Sequence, residues 1–243
     1  MIAESIIKVD NLRKVYRLGK EKVVALDNIN IEIKKGEICC ILGTSGSGKS
    51  TLLNMLAGLE KPTRGDIIIN KNKVNKLSEK KLAVFRQKYI GFVFQSYNLI
   101  PTLTAEENVA LPLVFRRMRK RKRMQSSKEM LRMVGLGDRL RHKPTQMSGG
   151  QQQRVGIARA FVAKPAVVFA DEPTGNLDSR TTNEVMLLML KIARDNNQTL
   201  IIVTHDGEIA EYADRIIQLK DGAIIADYAP EKSQELQEVN VQA

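Results

Sequence analysis

The chain has 243 residues, of which 43% are hydrophobic and 27% are charged. These proportions are ordinary for a globular protein with a substantial core. The formal net charge is +12, but the run Arg116–Arg123 contains seven of the basic residues, and without them the charge is 12 − 7 = +5. The basic excess is therefore partly local, and composition alone does not indicate a nucleic-acid-binding protein.

Three features predict the cellular setting. No stretch approaches the ~20 apolar residues of a membrane span, and the N-terminal residues lack the pattern of a signal peptide. The two cysteines, Cys39 and Cys40, are adjacent and cannot form a disulfide framework. We therefore expect a reducing, cytoplasmic setting in which both cysteines are small apolar residues of a buried strand.

The N-terminal part of the sequence is rich in strand signals. The runs IIKV, KVVAL and INIEI are β-branched and predict short strands with turns between them. A compact apolar strand, EICCIL, leads into the loop GTSGSGKS and the helix STLLNMLAGL. The strand DIIIN follows, then a helix that begins after Ser78, and then the strand IGFVFQ.

The middle of the chain is predicted to be helical. From about Thr104 to Val162 the strand signal disappears, and Pro112 and Pro144 break the helical pattern. Strands and helices then alternate, which predicts an α/β sheet with largely parallel strands. The predicted organisation is one domain over residues 1–229, with a core at 1–95 and 164–229, a helical subdomain at about 96–163, and a flexible tail at 230–243.

A phosphate-binding loop is predicted at Gly43–Ser50, which matches the pattern G-x-x-x-x-G-K-[ST] between a strand and a helix. Its glycines let backbone amides close around phosphate oxygens, and the helix N-terminus adds a favourable dipole. Lys49 is expected to reach the β- and γ-phosphates, Ser50 to ligate Mg²⁺ and Thr51 to hold the α-phosphate. The predicted phosphate-binding residues are Gly43, Ser45, Gly46, Ser47, Gly48, Lys49, Ser50 and Thr51.

Two carboxylates follow a later apolar strand. The run AVVFAD ends in Asp171, which is expected to hold Mg²⁺ through water. Glu172 comes next, beyond the strand end, where a carboxylate can accept a proton from an attacking water molecule. Together with the loop, these residues predict a site that hydrolyses a nucleoside triphosphate.

The tetrapeptide Ser148–Gln151, SGGQ, opens a predicted helix and is not explained by phosphate loops in general. With the motifs above, in this order, it resembles the nucleotide-binding subunit of ABC transporters over about residues 5–228. The resemblance implies a P-loop NTPase (RecA-like) core with an N-terminal antiparallel β subdomain and an inserted α-helical subdomain. It also implies ATP as the nucleotide and Mg²⁺ as the metal.

The resemblance also assigns roles to single residues. Ser148, Gly149 and Gly150, with Gln151, are implied to be the signature motif, which binds the γ-phosphate of ATP held by the other subunit. The resemblance implies that Gln95 is the Q-loop glutamine, which contacts Mg²⁺, and that Gly175–Asp178 is the D-loop. It also implies that His205 contacts the γ-phosphate and that Tyr16 stacks on adenine. The implied catalytic residues are Glu172, His205 and Lys49. The implied metal ligands are Ser50, Gln95 and Asp171. Asp178 is implied to contact nucleotide across the interface between the two copies.

The chain departs from the common family pattern at Met147, where leucine is usual, and at Gly175–Asn176, where serine and alanine are usual. Neither change removes a phosphate ligand. The run from Ile90 to Leu113, with ADEPTGNLD, is most similar to the subgroup that includes the macrolide exporter MacB, the lipoprotein-release ATPase LolD and the cell-division ATPase FtsE.

The implied function is ATP hydrolysis that powers a separate membrane permease for export or extraction of a peptide, lipoprotein or drug. Two copies are expected to close head to tail, on the inner face of the cell membrane. Two alternatives remain open: an FtsE-like ATPase that transmits a signal through a membrane partner, and a soluble ABC ATPase that acts on nucleic acid or ribosomes. Arg116–Arg123 is interpreted as a solvated surface or as a contact with anionic lipid or the permease. No nucleic-acid partner is expected.

Overall fold

The computed structural model describes residues 4–19 and 21–231. These residues form an antiparallel sheet of four strands, a second sheet of six strands and seven α-helices. Only Pro230 and Glu231 of the predicted tail belong to the described residues, and the rest of that prediction lies outside them. No helix in the described ranges is long and apolar enough to cross a membrane.

The antiparallel sheet lies near the N-terminus, with the strand order β2-β1-β4-β5. Its strands are β1 (Ser5–Leu18), β2 (Glu21–Lys34), β4 (Arg64–Ile69) and β5 (Asn72–Lys73). The predicted turn between KVVAL and INIEI was wrong, because both runs belong to the single strand β2. The polar residues between them form an irregularity within the strand: Asn28 has a left-handed φ of 51°, and the Asn30 amide donates to its carbonyl at 3.0 Å.

The second sheet carries the predicted parallel core, in the order β10-β9-β3-β8-β7-β6. All its neighbouring strands are parallel except β9 and β10. The strands are β3 (Ile38–Leu42), β6 (Ile90–Val93), β7 (Val167–Asp171), β8 (Thr199–Thr204), β9 (Arg215–Lys220) and β10 (Ala223–Tyr228). The central strands are covered on both faces, which explains their continuous apolar sequences. The predicted fold class is confirmed.

The helices flank this sheet. They are α1 (Lys49–Leu56), α2 (Glu79–Tyr89), α3 (Ala105–Phe115), α4 (Lys120–Met133), α5 (Gly149–Phe161), α6 (Ser179–Asp195) and α7 (Gly207–Ala210), with 3₁₀ turns at Val74–Lys76 and Pro144–Gln146. Helices α3 to α5 lie within 96–163, the range predicted for the helical subdomain. The break predicted at Pro112 was wrong, because α3 continues through it to Phe115. A capping box at Thr104 and Glu107 fixes the start of that helix, and the proline falls in its last turn.

The two cysteines pack into different halves of the core. Cys40 packs with the helices of the α3–α6 side, and Cys39 packs on the opposite face of the sheet with α1 and the antiparallel sheet. Burial raises the pKa of the Cys40 thiol to about 12, and it also raises that of Cys39 well above its usual range. Both thiols therefore stay protonated, as expected for small apolar residues of a buried strand.

The basic run spans the turn between α3 and α4, and its members differ in their surroundings. Arg116 is half-buried, and its guanidinium donates to the carbonyls of Gln87 at 2.9 Å, Lys88 at 2.7 Å and Ala163 at 2.5 Å. It therefore joins the last turn of α2 to the residues that follow α5, and it is not a free surface charge. The exposed members of the run are Arg117, Arg119, Lys120, Arg121 and Lys122.

Candidate functional site

The phosphate loop connects β3 to α1 at the carboxyl edge of the parallel sheet, where ligands bind in open α/β folds. Gly48 caps α1 with a φ of 102°, and a Cβ there would lie 2.7 Å from the Ala25 carbonyl oxygen, so glycine is required. The Lys49 side chain is buried, and its ammonium donates to the carbonyls of Gly43 at 2.7 Å and Thr44 at 2.8 Å. The loop carbonyls thus hold the Lys49 ammonium at the N-terminus of α1.

The loop opens into a cleft of about 730 Å³. Ten of the predicted site residues line it: Ser45, Gly46, Gly48, Lys49, Ser50, Thr51, Gln95, Asp171, Glu172 and His205. Residues as far apart in the sequence as Ser45 and His205 therefore converge on one cavity. The cleft is large enough for a small-molecule ligand.

One wall of the cleft was missed by the sequence reasoning. It is formed by Val23, Val24 and Ala25 of β2 and by Asp221 and Gly222, between β9 and β10. Both valines are more than 40% exposed, which is unusual for adjacent apolar side chains on one strand. The backbone amide of Gly222 donates to the Ser47 carbonyl at 3.0 Å and fixes this turn against the phosphate loop. The sequence reasoning had treated the valine pair in KVVAL only as part of a strand.

Tyr16, the predicted adenine contact, does not belong to the cleft lining. It pairs with Val23 across the strands, and its hydroxyl donates to Glu60 at 2.7 Å. Burial and the Glu60 carboxylate raise the Tyr16 pKa. Its role in binding adenine stays a prediction.

The two predicted carboxylates occupy different environments. Asp171 ends β7 inside the cleft, where burial and the neighbouring charge of Glu172 raise its pKa and the Lys49 ammonium opposes that rise. Glu172 has left the strand with a left-handed φ of 43°, while its amide still donates to the Val203 carbonyl at 2.9 Å. This strained backbone turns its side chain towards the end of β8.

The Glu172 carboxylate is fixed by three groups at the end of β8. The Thr204 hydroxyl donates to its Oε2 at 3.0 Å, and the His205 amide donates to its Oε1 at 3.1 Å. The His205 ring Nδ1 lies 2.8 Å from the same Oε1. Thr204 was missed by the sequence reasoning, because a buried threonine at a strand end looks like an ordinary core residue.

Gln95 and the predicted D-loop are joined directly. The Asn176 side-chain amide donates to the Gln95 carbonyl at 3.0 Å. Asp178 caps α6 by accepting the Thr181 amide at 3.0 Å, and this bond holds the pKa of Asp178 below its usual range. Asp178 does not line the 730 Å³ cleft, so its predicted nucleotide contact is not made within one chain.

The predicted signature residues begin α5. The Ser148 side chain caps this helix by accepting the Gln151 amide at 3.3 Å, and the Gln151 side chain accepts the Ser148 amide at 3.1 Å. Within one chain Gln151 therefore organises the helix N-terminus. Gly149 and Gly150 are closely covered, because an added Cβ would lie 2.8 Å from the Tyr97 hydroxyl and 2.7 Å from Thr181 Cγ2, respectively.

The signature residues lie in a second cavity, of about 450 Å³. It is lined by Gly135, Leu136, Ser148, Gly149, Gly150, Gln151, Arg154, Asn176, Leu177, Asp178, Thr181 and Glu184. None of these residues lines the 730 Å³ cleft. The structure thus brings the phosphate loop, Gln95, the carboxylates and His205 together, and it leaves the signature and Asp178 apart from them.

The cleft also fits the implied metal. The Ser50 hydroxyl, the Asp171 carboxylate and the Gln95 amide all border it, and oxygen donors of this kind suit Mg²⁺. No group of three or more His, Cys, Asp or Glu side chains that could hold a metal occurs in the described part of the chain. A single carboxylate is nevertheless typical of Mg²⁺ that is bound mainly through substrate phosphates and water.

Comparison with known proteins gives the family. Residues 26–175 match the family described as "ABC transporter", and this range includes the phosphate loop, both carboxylates and the signature. The chain belongs to the ABC transporter family. As in this family's ATP-binding cassettes, its described residues combine a P-loop core with the signature helix, and the chain is an ATP-hydrolysing subunit of that family.

Relatives of similar length cover nearly all of the chain. An uncharacterized ABC transporter ATP-binding protein of Methanocaldococcus jannaschii, MJ1508, is 50% identical over 90% of this chain and 97% of its own length. The structure is also similar to that of MJ0796 from the same organism, solved as a dimer in a post-hydrolysis state bound to ADP and Pi. That similarity has a TM-score of 0.85 at 45% identity, over 92% of this chain and 98% of the other.

A macrolide export ATP-binding/permease protein, MacB of Vibrio parahaemolyticus, is 47% identical over 93% of this chain. The match covers 34% of MacB, so this chain corresponds to about a third of that protein. The predicted similarity to the subgroup that includes MacB is thereby confirmed.

Proposed function

We propose that two copies of this chain close head to tail around two ATP molecules and drive a separate membrane permease. The observation that carries the proposal is the separation of the phosphate-loop cleft from the signature cavity within one chain. A helix N-terminus with a serine hydroxyl and small-residue amides attracts anionic oxygen. In one chain the ATP phosphates held at Lys49 do not reach the N-terminus of α5, and the α5 N-terminus of a second copy supplies this contact. The structures of MJ0796, which are dimeric, support the association of two copies.

The chemistry in each site is assigned to residues of the cleft. Lys49 and the loop amides hold the phosphates, and Glu172 orients the attacking water and accepts its proton. His205 holds Glu172 in place, and we propose that it also contacts the γ-phosphate. Mg²⁺, held by Ser50, Gln95 and, through water, Asp171, would neutralise charge on the phosphate oxygens. Hydrolysis removes the γ-phosphate that joins the two copies, so the dimer reopens.

An apolar groove beside β6 supports the proposal of a membrane partner. The groove has a volume of about 430 Å³ and lies between α2 and β6 of the core and α3 and α5 of the helical region. Its mouth exposes Val84 and Phe115, at 57% and 65%. Exposed apolar surface of this kind marks an interaction site. We place the permease there, which locates the chain peripherally on the inner face of the cell membrane.

The transported molecule is proposed to be a peptide, lipoprotein or drug, since MacB is a macrolide exporter by name. An FtsE-like signalling ATPase would use the same ATP site and the same groove. The membrane protein that co-purifies with the chain distinguishes them. We also propose that the exposed part of the basic run, Arg117 and Arg119–Lys122, contacts anionic lipid beside the permease.

The separation of the two half-sites is tested by a pair of variants. Lys49→Ala removes a phosphate ligand within one chain, so it should weaken binding of a fluorescent ATP analogue to the monomer. Ser148→Asp keeps a good N-cap but puts a negative charge where the second copy's ATP must dock. It should leave the analogue's affinity unchanged and abolish phosphate release. Full hydrolysis by Ser148→Asp, or a loss of affinity equal to that of Lys49→Ala, would contradict the proposal.

A further inference from the structure

Gln153 is a fully buried polar side chain of the signature helix α5, and it lines neither the 730 Å³ cleft nor the signature cavity. Its side-chain amide donates through Nε2 to the carbonyl of Pro173. A carbonyl can only accept, so the NH₂ end of the amide must face it. The buried Oε1 has no hydrogen-bond partner among the described residues. A buried amide that is only half paired costs free energy, so its value to the protein lies in the bond to Pro173.

Pro173 connects this bond to the proposed catalytic carboxylate. It is buried and directly follows Glu172, whose φ of 43° is left-handed. The Glu172 amide donates to the Val203 carbonyl at 2.9 Å, and the Glu172 carbonyl accepts the Gly175 amide at 3.1 Å. These two anchors come from β8 and from the predicted D-loop, whereas Gln153 adds an anchor from the signature helix. A left-handed backbone at such a residue persists only where the surroundings hold it.

A second buried glutamine makes the same kind of contact at the other end of β7. Gln198 is 4% exposed, and its Nε2 donates to the Pro165 carbonyl at 2.7 Å. Its Oε1 likewise has no partner in the described part of the chain. Pro165 precedes β7 at the amino edge of the sheet, whereas Pro173 follows β7 at the carboxyl edge, where the cleft lies. The two glutamines therefore share their chemistry and differ in whether the proline that they hold adjoins the ATP site.

We infer that Gln153 is a positioning residue for ATP hydrolysis, which fixes the Glu172 carboxylate relative to the signature helix through Pro173. This inference rests on the proposed function, in which Glu172 accepts the proton of the attacking water. A small displacement of a catalytic group costs a large factor in rate, because the reacting atoms must meet at a productive distance. Gln153 does not border the phosphate-loop cleft, so its loss should lower kcat and leave ATP binding unchanged.

The same helix carries Gln153 and the signature. Gln153 lies five residues beyond Ser148, which caps α5 and is proposed to meet the ATP of a second copy. The helix is continuous over these residues, so a displacement of its N-terminus also moves the Gln153 amide. The bond to Pro173 therefore ties the signature of one ATP site to the carboxylate of the other.

The inference is tested with two matched substitutions in the full chain, Gln153→Met and Gln198→Met. Each removes a buried amide that donates to a proline carbonyl, so both should lower Tm to a similar extent. Gln153→Met should lower the kcat of phosphate release roughly tenfold, while the affinity for a fluorescent ATP analogue stays at the wild-type value. Gln198→Met should change neither quantity. Gln153→Asn and Gln198→Asn shorten the side chain and keep the amide, and they give the same comparison where a methionine variant fails to fold.

A double-mutant cycle tests whether Gln153 acts through Glu172. Thr204→Val removes another group that holds Glu172, so the combined variant with Gln153→Met should lose less kcat than the product of the two single losses. Combined with Gln198→Met, Thr204→Val should keep its own effect on kcat. Equal kcat values for the Gln153 and Gln198 variants, a loss of analogue affinity in Gln153→Met, or independent effects in the cycle would overturn the inference.

Glu172→Gln, measured in the same assay, separates this inference from the proposed function. An inactive Glu172→Gln beside a Gln153→Met that hydrolyses ATP at the wild-type rate overturns the role of Gln153 alone. Hydrolysis by Glu172→Gln at the wild-type rate contradicts the proposed function, and the role of Gln153 falls with it.

Discussion

The ring Nδ1 of His205 lies 2.8 Å from Oε1 of Glu172, although the two residues are 33 positions apart in the chain. The contact exists because β7 and β8 are neighbours in register, with Asp171 paired to Val203. Each strand therefore delivers its next residues to the same edge of the sheet. Glu172 is thereby held by groups that sequence order alone does not place beside it.

The first prediction concerns this contact. His205→Ala should reduce the rate of ATP hydrolysis by roughly 10²-fold or more, because the carboxylate that orients water loses a partner. ATP affinity of the monomer should change little. The matched control is His142→Ala, since His142 is the chain's other histidine and contacts Arg139 outside the cleft. Equal rates for the two variants would remove His205 from the mechanism.

The second prediction concerns the buried hydroxyl of Thr204. Thr204→Val removes the donor to Glu172 and the acceptor of the Asp206 amide. It should lower the free energy of unfolding by about 1–2 kcal/mol and also lower kcat. Thr199→Val is the control, because it removes an equally buried hydroxyl that accepts the Gly36 amide at 2.9 Å. That variant should lose similar stability while its kcat stays unchanged, as urea titrations and phosphate-release assays can measure.

The third prediction is a pH dependence of stability. The backbone amide and the hydroxyl of Thr104 donate to Glu107 at 2.9 and 3.0 Å and hold its pKa below the ordinary value of 4.5. The folded state therefore favours the charged form, and this contribution is present above pH 4.5 and is lost as pH falls through the lower, folded pKa. Glu107→Gln keeps the capping box without the charge. Its Tm should be below that of the wild type at pH 7, and the difference should vanish in acid; a difference that persists at pH 2 would contradict the assignment.

The fourth prediction concerns the basic run. Replacing Arg117, Arg119 and Arg121 by Gln should weaken the free energy of binding to anionic vesicles by ~1 kcal/mol per residue at low salt. Co-sedimentation of the chain with the vesicles measures this binding. Neutral vesicles should bind neither form. The control replaces Lys71, Lys73 and Lys191, which are exposed cations on other surfaces. Equal losses in the two triple variants would indicate nonspecific attraction and leave the run as a solvated surface.

Much of the fold followed from local patterns. The phosphate loop was predictable because a buried strand, a glycine-rich loop and a helix occur in uninterrupted order at Gly43–Ser50. The strand that ends in Asp171 was predictable because strands covered on both faces are apolar throughout. Each of these signals is contained in a short stretch of sequence, so no tertiary information was needed.

The errors arose where tertiary contacts overrode local signals. Asp27 and Asn28 were predicted to form a turn, but pairing with β1 keeps the strand continuous. Pro112 cannot donate a helical hydrogen bond, but the packing of α3 against α4 and α5 keeps the helix continuous to Phe115. The cleft wall at Val23 and Asp221 joins segments almost 200 residues apart, and no local pattern encodes their approach.

The roles of the signature residues came from resemblance to a family, not from local physics. Ser148 alone predicts only a helix N-cap, and the structure uses it as one. The proposal that Ser148 contacts the ATP of a second copy depends on the geometry of a dimer, which local sequence patterns do not predict. The same holds for Tyr16, whose hydroxyl is bonded to Glu60 within the chain.

The head-to-tail arrangement is tested most directly by the mass of Glu172→Gln in solution. This variant keeps every phosphate ligand and removes only the carboxylate that accepts the proton, so ATP should bind and persist. Sedimentation equilibrium should give a dimer with ATP and a monomer with ADP, and adding Ser148→Asp should return the ATP form to a monomer. A Glu172→Gln chain that binds ATP but stays monomeric, or that hydrolyses it at the wild-type rate, would contradict the proposed mechanism.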